Sequence, residues 1–92
     1  MATKDTHSGI DGRRFWSTVM RSGEIGPGKA GGLCRLALTD ADKEMRDLFV
    51  DWAKKAGCSV EIDRLGNIFA RRAGSDPSLP PVAIGSHLNT QI

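Results

Sequence analysis

The spacing of apolar positions changes along the 92-residue chain, and each change predicts an element. The clearest pattern is TDADKEMRDLFVDWAKKAG, residues 39–57, in which Met45, Leu48, Phe49, Trp52, Ala53 and Ala56 recur at three- and four-residue intervals. An α-helix turns once every 3.6 residues, so this spacing gathers them into a single stripe. Thr39 is placed to cap the start, Asp40 and Asp42 lie at the positive end, Lys54 and Lys55 lie at the negative end, and Gly57 can adopt the left-handed conformation just beyond. A shorter helix is predicted in DGRRFWSTVMRSG, residues 11–23, with Phe15, Trp16, Val19 and Met20 on one face between Asp11 as N-cap and Gly23 at the end. From Cys58 the period falls to two. Cys58, Val60 and Ile62 alternate with Ser59, Glu61 and Asp63, as in a half-buried strand. Gly66 and Asn67 then supply turn chemistry before NIFARR, so residues 58–72 predict a β-hairpin.

Two stretches lack periodicity. GEIGPGKAGG, residues 23–32, reads as a glycine-rich connection. Its Gly23, Gly28 and Lys29 match the spacing of a phosphate-binding loop, but Ala30 stands where that loop needs a Ser or Thr hydroxyl for magnesium, and Pro27 removes one backbone donor. AGSDPSLPP, residues 73–81, is a loop, because two adjacent prolines cannot continue a ladder. The run PVAIGSH, residues 81–87, is apolar without alternation and predicts a short strand buried on both faces. The fold class is therefore α/β, with two helices, a β-hairpin and a buried strand. Three strands with one covering helix leave a sheet face unprotected, so the sheet is incomplete and the chain reads as a fragment truncated at Ile92. Residues 1–9 read as a disordered leader.

Composition narrows the function classes. Thirteen basic and eleven acidic side chains give a formal charge of +2, too balanced for a nucleic-acid or membrane surface. The leader has neither a basic region nor an apolar core, and no run approaches membrane-spanning length. Cys34 and Cys58 are far apart in sequence with no histidine close to either, which argues against a zinc knuckle and for reduced thiols in the cytoplasm. His7 lies in the leader and is expected to be solvent-exposed. His87 ends the apolar run, where catalytic groups of α/β folds commonly sit, and on a strand Asn89 would point to the same side. The two could form a functional site or satisfy each other structurally.

The order DRLGNIFARR, DPSLPPV and GSHLNTQ, within a run that starts at GGLCRLAL, resembles the hydantoinase/carbamoylase family of metal-dependent amidases over nearly the whole chain from Ile10. That family groups N-carbamoyl-L-amino-acid hydrolases, β-ureidopropionases and allantoate amidohydrolases, and is related to zinc aminopeptidases. The resemblance implies that residues 10–92 are the truncated N-terminal part of a zinc-aminopeptidase-like catalytic domain. It also implies two divalent metal ions in the complete enzyme, zinc or manganese, with cobalt or nickel as further candidates. A small-molecule carbamoyl or ureido substrate, and a homodimer whose dimerisation domain is absent here, follow from it as well. In the family pattern Gly-Ser-His-Leu/Ile-Asp-Thr-Gln, His87 takes the position of a metal ligand and Asn89 that of the aspartate supporting the site. The implied reaction is hydrolysis of a C–N bond in a linear amide by metal-activated water. Asn89 keeps the shape of aspartate but not its charge, and one clear ligand falls short of the three or so that a catalytic zinc needs, so metal binding here is expected to be partial and the 92-residue chain inactive alone. The alternative is a non-catalytic remnant acting as an interaction module.

Overall fold

The computed structural model of the chain describes residues 9–91. Of the leader read at residues 1–9, all but Gly9 lies outside the described residues, His7 included. Those up to Asp42, together with those from Asn89 onward, form one compact unit, and Lys43–Leu88 form a second.

In the first unit, α1 spans Gly12–Ser22. Asp11 caps it as expected, its carboxylate accepting the Arg14 N–H at 3.2 Å. Gly23 closes it with φ −69°, a right-handed conformation open to any residue. No residue of α1 is buried, and Phe15, Trp16, Val19 and Met20 are exposed on their shared face.

The aperiodic stretch after α1 is more ordered than its sequence predicts. The Cys34 N–H donates to the Gly26 carbonyl at 2.7 Å and the Gly28 N–H donates to the Gly32 carbonyl at 2.8 Å, with Pro27 and Leu33 bridged between them. A 3-10 turn, Lys29–Gly31, reverses the chain. Within this lacing the Gly28 and Gly32 N–H groups are used inside the loop, the latter on the Lys29 carbonyl at 2.9 Å. Gly26 is required by geometry. Its φ is +74°, and an added Cβ would lie 2.9 Å from the Cys34 carbonyl oxygen. Beside it Ile25 is only 2% exposed, so the core of this unit sits in a stretch that carries no hydrophobic period.

Helix α2 spans Asp40–Lys55. The Thr39 hydroxyl accepts the Asp42 N–H at 3.3 Å, and the Asp42 carboxylate in return accepts the Leu38 N–H at 2.9 Å. This reciprocal cap satisfies donors that a helix start leaves unpaired. Leu38 pays for it with φ +69° while its side chain is 98% exposed. In the second unit Met45 and Ala53 are buried, and Leu48, Phe49 and Trp52 are half-buried, so the predicted stripe faces inward except at Ala56. At the far end the Cys58 N–H reaches the Ala53 carbonyl at 2.9 Å and the Gly57 N–H reaches that of Lys54 at 3.0 Å. With Gly57 at φ +87°, this is the paired-bond helix stop that a left-handed glycine permits.

The hairpin follows at once. β1, Ser59–Ile62, pairs antiparallel with β2, Ile68–Arg71, in the register Val60 to Ala70 and Ile62 to Ile68. Asp63 organises the turn: its Oδ1 accepts the N–H groups of Leu65 and Asn67, and its Oδ2 accepts the Asn67 side-chain amide at 2.9 Å. Gly66 takes φ +87° at the turn. Val60 and Ile68 are half-buried, but Ile62 is exposed, so the alternation in sequence produces only a partly covered face.

The buried strand predicted at residues 81–87 is not formed. This stretch pairs with nothing as a strand among the described residues, and Val82 and Ile84 are 94% and 98% exposed. An apolar run becomes a strand only when neighbours meet its backbone donors and acceptors, and the two-stranded sheet does not extend to it.

Candidate functional site

His87 and Asn89 lie in the irregular stretch after the prolines. His87 is exposed and Asn89 half-buried. The boundary between units passes between Leu88 and Asn89. The expectation that they point to one side assumed a strand, and that assumption lapses with the strand itself. Among the described residues no three His, Cys, Asp or Glu side chains come close enough to hold a metal ion. The donors of the described residues therefore do not fit a complete metal centre. Cys34 and Cys58 are free thiols, the first exposed and the second half-buried.

What holds the end of this segment was not legible in the sequence. The Thr90 N–H donates to the Arg35 carbonyl at 2.7 Å, and the Arg35 N–H donates to the Thr90 hydroxyl oxygen at 2.8 Å. Arg35 is itself only 5% exposed. Its guanidinium donates through Nη1 to the Ser22 carbonyl at 2.7 Å and the Ile25 carbonyl at 3.0 Å. Ser22 is the last residue of α1, so a cation meets carbonyls at the negative end of that helix. A buried arginine in an aperiodic stretch gives no pattern to read, because arginine normally stays at the surface. The one sequence signal was negative: Arg35 stands alone between apolar neighbours in GGLCRLAL.

Known proteins match this chain over most of its length. The N-carbamoyl-L-amino-acid amidohydrolase of Rhizobium meliloti is 46% identical over 91 residues, which are 99% of this chain and 22% of that protein. The backbone superposes with TM-score 0.84 on the crystal structure of an amidase of the hydantoinase/carbamoylase family from Burkholderia vietnamiensis, at 54% identity. The chain matches the hydantoinase/carbamoylase amidases. That superposition covers 89% of this chain and 20% of the Burkholderia chain. A second N-carbamoyl-L-amino acid amidohydrolase, from Geobacillus stearothermophilus, is 36% identical over 81 residues, 88% of this chain and 20% of its own length. The chain thus spans about a fifth of the hydantoinase/carbamoylase amidases and amidohydrolases it matches. No protein-family model matches the sequence. Among the described residues no helix is long and apolar enough to cross a membrane.

Proposed function

We propose that this chain is part of a cytoplasmic, metal-dependent amidohydrolase that hydrolyses C–N bonds of linear amides, with N-carbamoyl amino acids or ureido acids as substrates. The observation that carries this reading is the agreement of sequence and backbone together: 46% identity to an N-carbamoyl-L-amino-acid amidohydrolase across 99% of the chain, and TM-score 0.84 to a hydantoinase/carbamoylase amidase. Residues 10–92 are assigned to the N-terminal part of the catalytic α/β domain.

In this reading His87 supplies one imidazole nitrogen to a divalent metal, zinc or manganese. His87 is exposed at the surface of its unit. Asn89 supports the site with a neutral acceptor oxygen where an aspartate would offer a charged one. In this reading the remaining ligands and the substrate contacts come from the rest of a larger protein.

A chimera tests it, with this chain replacing the matched fifth of the Rhizobium meliloti protein. The chimera is expected to release ammonia from N-carbamoyl-L-amino acids, Asn89→Asp to raise the rate on the order of 10–100-fold, and His87→Ala to abolish it. A folded chimera whose activity is indifferent to His87→Ala sinks the proposal.

A further inference from the structure

The described basic residues differ in the backbone that carries them. α1 holds three arginines and α2 holds four basic side chains, all on helical backbone. Lys29 opens the 3-10 turn of the laced loop, Arg35 is 5% exposed, and Arg64 sits in the hairpin turn tied by the Asp63 carboxylate. Arg71 closes β2, opposite Ser59. Arg72 comes next, and there regular structure stops: among the described residues no helix or strand follows it. Every residue from Phe69 to His87 is exposed. Ala73, Gly74 and Ser75 are all small, and past Arg72 the first hydrogen bonds among the described residues come at Asp76, whose Oδ1 accepts the Ser78 N–H at 3.1 Å and the Ser78 hydroxyl at 2.6 Å. An endoprotease takes several residues on each side of the scissile bond in extended form. A helix or a paired strand must open locally before it is cut, whereas an exposed stretch of small residues needs no such opening.

We propose that the Arg72–Ala73 peptide bond is a processing site for an arginine-directed serine endoprotease, selected by the local backbone and not by the basic side chain alone. Water adds across the bond: the C–N bond breaks, Arg72 gains a carboxylate, Ala73 gains an amine, and the protease is regenerated. No Lys or Arg follows Arg72, so residues 73–92 leave as one piece. Residues 1–72 keep α1, α2 and the hairpin, while the apolar PVAIG run departs with the other product.

The test is limited digestion of the full 92-residue chain with trypsin, each cut timed by mass spectrometry. Cleavage at Arg72–Ala73 is expected to run roughly tenfold or more ahead of any bond within α1 or α2, because those wait on local opening. A helical bond cut as fast overturns the proposal. Arg72→Gln is expected to abolish the 73–92 product; a cut after Arg71 at the parent's rate in that variant overturns the assignment to Arg72. The same digestion in urea, with the chain unfolded, separates structure from sequence. There the lead of Arg72–Ala73 over the helical bonds is expected to vanish, and a lead that survives unfolding shows that the flanking residues alone choose the bond, which also overturns the proposal.

Discussion

At the scale of single residues, backbone conformation and close contact can be separated by two glycines of the same loop. Gly26 and Gly31 both have φ near the left-handed region, +74° and +79°, but an added Cβ at Gly26 would lie 2.9 Å from Cys34 O and 3.1 Å from Ala41 Cβ, whereas at Gly31 it would meet nothing within 4 Å. Gly31→Ala is expected to cost about 1 kcal/mol from conformation alone, and Gly26→Ala about 2–4 kcal/mol once overpacking is added. Paired urea unfolding curves measure the difference. Asp63 offers a second case. Its carboxyl is held below the ordinary carboxylate range, first by the Asn67 side-chain amide and then by the Asn67 backbone N–H, against a smaller opposing effect of desolvation. A folded-state pKa below the unfolded one means that the turn is fully favoured above the unfolded value and loses this contribution as pH falls through the folded one. A carboxyl titration followed by NMR is expected to give a depressed midpoint for Asp63 that moves back up in Asn67→Ala; an unmoved midpoint contradicts the assignment.

At the scale of elements, the caps carry the next predictions. Thr39→Ala removes the hydroxyl that accepts the Asp42 N–H and is expected to cost about 1 kcal/mol, read from the thermal melt of α2 by circular dichroism. Arg35→Met leaves the Ser22 and Ile25 carbonyls without their guanidinium donor, at about 1–3 kcal/mol, and is expected to speed amide exchange in the last turn of α1. The elements closed by such local chemistry are those that were readable in the chain. The stripe from Met45 to Ala53, the Gly57 stop, the Asp11 cap and the turn before NIFARR all depend on residues within a few positions of one another. The strand expected at residues 81–87 depends on partner strands, which no local pattern specifies, and it did not form. Arg35 and Thr90 lie 55 positions apart, so neither their pair of hydrogen bonds nor the burial of Ile25 had a signature in spacing. His87 and Asn89 were singled out by family resemblance and not by spacing, and the geometry that holds the Asn89 end had no signature in either.

At the scale of the whole molecule, the chain is about a fifth of the proteins it matches, and much of its apolar surface is uncovered among the described residues. Phe15, Trp16, Phe69, Val82 and Ile84 are all exposed. Stability is therefore expected to be uneven along the sequence: in hydrogen exchange, the N–H groups of Val82, Ala83 and Ile84 should exchange at close to the open-chain rate, while those engaged between β1 and β2 are protected. Uniform protection across both regions would contradict the arrangement described. One further consequence comes from the two-stranded sheet. Among the described residues only β1 and β2 pair as strands, so each is an edge strand there and presents a row of main-chain donors and acceptors along its outer side. Such a rim is a template onto which another extended segment can add, and the unpaired, apolar PVAIG lies in the same unit. Ser59, Glu61 and Arg71 place polar and charged groups along the hairpin, which is the gatekeeping that slows aggregation in a sheet left open.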